Sequence, residues 1–146
     1  MKKLLAIFSL VIIFSTKALA SIQDLKVEDA WARSSSNPNK NSAAYMVFDN
    51  RSDKDIVITK AIAPSISDNV ELHETYLDDK GVHKMAHVDK IVIPSKSKIE
   101  LKPKHTHIML MDLKKELKAG DKFTLKIICD EVGEKDVEVE IRQLGK

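Results

Sequence analysis

Histidine and methionine are concentrated in one part of this chain. All five His lie between residues 73 and 111, together with three of the five Met. Within this region His107 and Met109 are separated by one residue, so on a β-strand both side chains point to the same face. Ile108 and Leu110 then point to the opposite face, which is predicted to be core. A His-x-Met pair of this kind can offer one imidazole and one thioether to a single metal ion.

A second pair of the same residue types precedes the first. If residues 70–88 form a hairpin whose loop is centred on Asp79, His73 lies directly opposite Met85. Directly opposed side chains on antiparallel strands have Cβ atoms about 5 Å apart, which is close enough for both to reach one ion. Leu72 then occupies the other face and is predicted to be core. The two pairs together predict a site of two imidazoles and two thioethers, formed by His73, Met85, His107 and Met109.

This set of donors selects a particular metal. Thioether sulfur is soft and uncharged, and it favours copper(I) over zinc, calcium and magnesium. Zinc in proteins is held by thiolate, imidazole and carboxylate ligands instead. Imidazole binds a metal only when it is neutral, so binding weakens as His protonates below about pH 6.5. We therefore predict one copper(I) ion at these four residues.

Other His and Met residues lie an even number of positions from a predicted ligand along the same two segments. On a β-strand their side chains therefore point to the same face. They either line the rim of the site or extend it toward a second metal ion such as copper(II). The rim interpretation is favoured, because a His on a polar face is usually only solvated. These residues are His83, His87, His105 and Met111.

The segments that must position these residues alternate between apolar and polar side chains, which is typical of half-buried strands. Eight or nine such short strands, separated by turn residues, predict an all-β antiparallel sandwich or barrel. The stretch Leu113–Leu117 has helical character but is too short to be more than a turn. The predicted strands are residues 25–33, 43–48, 56–62, 70–76, 82–88, 97–101, 106–112, 123–129 and 137–142.

The first twenty residues have the anatomy of a secretory signal peptide. Two lysines precede an apolar run, Leu4 to Phe14, and residues 18–20 fit a small-x-small cleavage site. The run is too short for a membrane span, which needs about 20 apolar residues. No Cys follows the small residues, as a lipoprotein anchor would require. We therefore divide the chain into a signal peptide, residues 1–20, and one domain, residues 21–146.

Composition argues against several kinds of partner and chemistry. Cleavage would remove three lysines and leave 21 of the 24 basic residues against 22 acidic ones, a net charge of about −1 instead of +2. A nearly neutral chain with interspersed charges gives no electrostatic reason to expect nucleic acid or an anionic membrane as a partner. The single Cys129 excludes an internal disulfide, and its parity with Phe123, Leu125 and Ile127 predicts a buried core residue.

These motifs resemble those of the periplasmic copper chaperone family known as PCuAC. In that family a His is followed by eleven residues and a Met, and then by twenty-one residues and His-x-Met. In this chain eleven residues separate His73 from Met85, and twenty-one separate Met85 from His107. The resemblance covers nearly all of the domain, with further similar segments at residues 31–33, 44–46, 70–74, 110–113 and 117–121.

The resemblance implies a cupredoxin-like antiparallel Greek-key β-sandwich or barrel, and it assigns the same four residues as copper(I) ligands. It implies a periplasmic metallochaperone, not an enzyme. The implied acceptor is the dinuclear copper centre of cytochrome c oxidase, sometimes reached with a thiol-containing partner chaperone. Trp31 is predicted to be core, although a Trp near a copper site could shield the metal from water.

Three alternatives stay open at this point. The protein could buffer copper for tolerance without a delivery role, and the sequence does not separate this function from delivery. An enzyme is disfavoured, because there is neither a Cys ligand of blue-copper type near the His-x-Met nor a zinc motif such as His-Glu-x-x-His. An exported β domain with incidental His and Met is disfavoured by the spacing.

Overall fold

The computed structural model describes residues 19–36 and 40–144. Within these residues the fold is all-β, as predicted, with ten strands after a short 3₁₀ turn, Ile22–Asp24. No helix in this described part is long and apolar enough to cross a membrane. The predicted signal peptide lies outside the described residues except for its last two, and it stays a prediction. The strands are β1 Leu25–Arg33, β2 Ser42–Asn50, β3 Ile56–Ile62, β4 Asn69–Leu77, β5 His83–His87, β6 Ile91–Ile93, β7 Lys98–Leu101, β8 His107–Met111, β9 Lys122–Cys129 and β10 Gly133–Arg142.

Nine of the ten strands coincide with the segments predicted from alternation. In β9, for example, Phe123, Leu125, Ile127 and Cys129 are buried and the residues between them are more exposed, which confirms the core assignment of Cys129. The exception is β6, whose three residues are too few to display a period of two. The predicted count of eight to nine strands is therefore too low.

The strands form one hydrogen-bonded sheet in the order β5-β4-β8-β2-β1-β10-β9-β3-β6, and β7 also pairs with β2. The sheet folds over, so that β3 contacts β4 and β6 contacts β2, and a sandwich closes around one core. The predicted antiparallel arrangement holds for the named strand pairs other than β1–β10, which is parallel. Parallel neighbours need a long connection, and almost the whole chain connects these two strands.

Core packing selects the face on which the candidate ligands are displayed. Leu72 on β4 and both Ile108 and Leu110 on β8 belong to the buried apolar cluster, as predicted. Successive side chains on a strand alternate between faces, so burial of these three residues turns their odd-numbered neighbours outward. The His and Met side chains of β4 and β8 therefore lie on the outer face of the sheet.

A β-bulge in β1 reverses which of its positions face inward. Leu25 is buried before the bulge and Ala32 after it, so the buried positions change from odd to even. The register with β2 shifts between Glu28 and Trp31, where Asp29 has a left-handed backbone with φ of 47°. Trp31 is consequently only partly buried, and the prediction that it belongs to the core is wrong.

Candidate metal centre

Three neighbouring strands, β5, β4 and β8, carry the candidate ligands. His73 on the middle strand β4 has His107 of β8 as its Cα partner on one side and His87 of β5 on the other. The ring centroids of His73 and His107 are 5.8 Å apart, and those of His73 and His87 are 6.3 Å apart. Strand pairing thus places three imidazoles in a row on the outer face.

The register of the β4–β5 hairpin differs from the predicted one. Met85 lies opposite Thr75 and not opposite His73, so the loop is centred on Lys80 and the prediction that it is centred on Asp79 is wrong. The shift moves the partner of His73 by two residues, which keeps Met85 on the same face. Met85 is therefore a diagonal neighbour of His73, at a spacing of about 7–8 Å that long side chains can bridge.

The loop chemistry explains this register. The Gly81 N–H donates to the Asp78 carbonyl at 2.8 Å, and the Asp78 N–H donates to the Val82 carbonyl at 3.0 Å. Gly81 has φ of 73°, in the left-handed region. A turn followed by a left-handed Gly is the usual three-residue hairpin loop. The Asp78 carboxylate also accepts the N–H groups of Lys80 and Val82, which holds the loop in this form.

Met85 and Met109 line a shared cavity of about 240 Å³. Met85, His107 and Met109 are among its lining residues, whereas His73 is not and joins the group through its ring contact with His107. Met85 is 59% exposed on the edge strand β5, while His107 is only 4% exposed. The candidate centre therefore has a buried side on β8 and an open side on β5.

His107 is oriented by a backbone hydrogen bond. Its Nδ1 donates to the carbonyl oxygen of His105 at 2.8 Å. A neutral ring with its proton on Nδ1 has its lone pair on Nε2, where it can bind a metal. Burial lowers the pKa of His107, since the charged form loses its solvation. The hydrogen bond thus fixes one tautomer of the ring, and burial favours its neutral form.

His73 is oriented by a carboxylate. Its Nε2 donates to Glu71 Oε2 at 2.8 Å, and this hydrogen bond lowers the pKa of Glu71. The lone pair of the neutral ring then lies on Nδ1, which is buried and has no hydrogen-bond partner in the described structure. A buried unpaired acceptor is unfavourable, and a metal ion is a partner that would satisfy it. The orphaned nitrogen fits a metal ion, and the two thioethers of the donor set favour a soft one.

An aromatic wall flanks the buried side of the centre. The ring centroid of Tyr45 lies 6.3 Å from that of His107 and 4.6 Å from that of Trp31. The Arg142 guanidinium lies 6.0 Å above the Trp31 ring. Burial raises the pKa of Tyr45, so its phenol stays neutral. These rings exclude water from one side of His107.

The other His and Met residues have different surroundings. His83 lines the cavity, His87 lies beside His73, and His105 contributes its carbonyl to His107. Glu71 and Tyr45 also lie at the centre, although neither was among the predicted site residues. For Glu71 a signal existed, because it lies two residues before His73 and so shares its face. Tyr45 lies in the similar segment 44–46, but its place beside His107 depends on the pairing of β2 with β8.

Solved structures with the same fold include copper-binding domains. The copper-bound PCuAC domain from PmoF2 has a TM-score of 0.69 at 17% identity, and the match covers 87% of this chain and 97% of that domain. The apo PCuAC domain from PmoF1 has a TM-score of 0.68 at 22% identity, with coverage of 83% and 95%. The copper(I) form of DR1885 from Deinococcus radiodurans has a TM-score of 0.61 at 23% identity, with coverage of 88% and 82%. At these identities the matches establish a cupredoxin-like PCuAC fold, as predicted.

Comparisons of sequence give the family. The uncharacterized protein RP573 of Rickettsia prowazekii is 34% identical over 115 residues, which covers 76% of this chain and 62% of that protein. This chain thus spans less than two thirds of the length of that relative. The model of the family described as "Putative lipoprotein LpqE-like" matches residues 25–141. Since this match runs from the first residue of β1 into the last strand, the chain belongs to the LpqE-like family.

Proposed function

We propose that this protein is a copper(I)-binding metallochaperone that holds one ion and passes it to an acceptor. The observation that carries the proposal is the direct pairing of His73 with His107 on neighbouring strands, with Met109 and Met85 on the same face. The fold adds support, because two similar solved domains are described as copper-bound and as a copper(I) form. The proposed ligands are His73, Met85, His107 and Met109.

The exposure of the ligands suggests how copper would be released. All four donors are uncharged, so they hold the cation through soft and dipolar interactions only. Met85 lies on the edge strand and is largely exposed, which makes it the ligand that an incoming donor can replace first. A thiolate is a stronger ligand for copper(I) than a thioether, so a Cys-containing acceptor would take the ion by stepwise ligand exchange.

We further propose that the protein is exported to the periplasm and delivers copper to the dinuclear copper centre of cytochrome c oxidase. The basic and apolar residues at the start of the chain support export. The spacing of the four ligands supports the acceptor, through the resemblance to periplasmic copper chaperones. A thiol-containing chaperone would be the expected partner in this delivery.

The copper(I) site is tested by anaerobic titration against a colorimetric copper(I) chelator. The purified protein is expected to bind one equivalent and to compete with the chelator. The double variant Met85→Leu/Met109→Leu should no longer compete, because Leu keeps the volume of Met but lacks the sulfur. Equal binding by this variant would show that the four-ligand set is wrong.

Met111→Leu is the matched control, since Met111 lies on the same strand and face as Met109 but does not line the cavity. It should bind copper(I) like the unsubstituted protein. A loss of binding in this variant equal to that of the double variant would indicate a general effect of substitution in β8.

Delivery is tested separately, by mixing the copper(I)-loaded protein with a reduced copper-site domain of cytochrome c oxidase and separating the two. Copper is expected in the acceptor fraction. Retention of copper by the loaded protein, with intact copper(I) binding, would favour the alternative role as a copper buffer.

A further inference from the structure

Glu71, His73 and His87 form a second group of potential ligands beside the proposed copper(I) site. One ligand atom of each lies within 4.8 Å of the others. Oε2 of Glu71 is 2.8 Å from Nε2 of His73 and 3.5 Å from Nδ1 of His87. Separations of this size are those of donors that surround one ion. The group is therefore compact enough to bind a metal without movement of a strand.

Strand pairing fixes this group. Glu71 and His73 are two residues apart on β4 and share its outer face. His87 is the Cα partner of His73 across the β4–β5 pair, and the two rings meet edge to face. The side chains of Glu71 and His87 are 35% and 55% exposed, so an ion can reach them from solvent. On the far side, Nε2 of His87 lies 3.5 Å from the carboxylate of Asp89.

Holding the ring of His73 accounts for one side of Glu71 but not for the approach of His87. The largely exposed His87 adds little to stability by lying beside the same carboxylate. Here two imidazoles converge on the same carboxylate oxygen, Oε2 of Glu71. A metal ion between the three donors would use all of them at once.

The chemistry of this group differs from that of the His/Met set. Two imidazoles and one carboxylate form a nitrogen and oxygen donor set without sulfur, which suits copper(II) and zinc and does not suit copper(I). Copper(II) binds such sets most tightly among the divalent first-row metals. We infer that Glu71, His73 and His87 form a site for a divalent cation, which binds copper(II) most tightly. This site shares His73 with the proposed copper(I) site.

Sharing His73 makes the two sites alternatives. A neutral imidazole has one lone pair, which lies on Nδ1 while Nε2–H donates to Glu71 and on Nε2 when the proton moves to Nδ1, so His73 can serve one ion at a time. Copper(I) is then bound on the side of Met85 and Met109, and a divalent ion on the side of Glu71 and His87. No electron transfer is involved, because each ion arrives in its own oxidation state. The competition rests on the proposed copper(I) function, whereas the divalent site itself does not.

The divalent site is tested with copper(II) added to the apo protein in a non-coordinating buffer, followed by electron paramagnetic resonance. A bound ion with hyperfine coupling to two imidazole nitrogens is expected. His87→Ala and Glu71→Gln should each weaken copper(II) binding by about tenfold or more. His83→Ala is the matched control, because His83 lies on the same strand and face as His87 but outside the group, and it should bind like the unsubstituted protein.

Copper(II) binding that is unchanged in both His87→Ala and Glu71→Gln would overturn the proposal, as would an equal loss in His83→Ala. Circular dichroism of each variant verifies that the fold is retained. Met85→Leu/Met109→Leu should keep its copper(II) binding, so failure of the copper(I) proposal is distinguished from failure of this one.

The shared His73 is tested with zinc, which does not change oxidation state. Under anaerobic conditions the affinity for zinc is measured by competition with a colorimetric zinc chelator, before and after loading with one equivalent of copper(I). A weaker apparent affinity for zinc in the loaded protein is expected. Equal affinities would show that the two ions bind independently and that His73 is not shared.

Discussion

At the scale of single residues, the candidate ligands differ in how much freedom they keep. The ring of His107 is buried, and its Nδ1 is held by a backbone carbonyl. The ring of His73 is held by Glu71. Met85 has no such restraint and is largely exposed. If the proposed copper(I) site is right, two donors are therefore oriented before the metal arrives, while the flexible thioether of Met85 can close over the ion or leave it.

A prediction at this scale concerns Cys129, which is buried and free. Burial raises the pKa of its thiol to about 11. Only the thiolate reacts with disulfide reagents, so the folded protein should not react with a thiol-specific chromogenic disulfide at pH 8. The same reagent should detect one thiol in the unfolded protein in guanidinium chloride. Complete reaction of the folded protein within minutes would contradict the buried position.

At the scale of elements, the outer face of β8 depends on its inner face. Ile108 lies between the two proposed ligands of this strand and is fully buried. Ile108→Ala should lower the free energy of unfolding by about 2–5 kcal/mol, through lost burial and the cavity left behind. Urea unfolding measures this change, and copper(I) stoichiometry should stay at one while the protein is folded.

Val92→Ala is the control for this experiment, because Val92 is 41% exposed in the middle of β6. Its effect should be well below that of Ile108→Ala. Equal effects would indicate that the inner face of β8 is not the core described here.

A second prediction at this scale concerns the β4–β5 loop. Gly81 has a left-handed backbone, and a Cβ added there would meet no atom within 4 Å. Gly81→Ala should therefore destabilise the fold by about 1 kcal/mol through backbone strain alone. Gly81→Asn should cost less, because Asn tolerates this conformation. Urea unfolding compares the two variants, and an equal loss in both would argue against a conformational cause.

At the scale of the whole molecule, copper should stabilise the fold. The proposed ligands come from β4, β5 and β8, and only the folded chain brings these strands together. An ion that binds only the folded state, present at a free concentration 100 times its Kd, adds about 2.7 kcal/mol to the free energy of unfolding. The Tm under reducing, anaerobic conditions should therefore rise with copper(I). Met85→Leu/Met109→Leu should show no rise, and an equal rise in that variant would place the stabilising copper elsewhere.

Most of the fold could be predicted from the sequence, because alternation of side chains is a local property of each strand. The same property gave the correct faces for His107, Met109 and Leu72. The three residues of β6 were too few to show it, and the bulge at Asp29 broke it in β1, which misplaced Trp31. The hairpin register failed for another reason, since Gly81 was counted as a turn residue without its left-handed position in the loop.

By itself, the sequence determined the types of the candidate ligands, their spacing and the face that each occupies on β4, β5 or β8. The tertiary structure alone decided that β4 pairs with β8, so that His73 faces His107, and that Glu71 meets both His73 and His87. The physical reason is the distance along the chain over which the deciding interactions act. Which face a side chain occupies follows from the backbone of its own strand, whereas strand order and register follow from burial and turns that involve residues far apart in the chain.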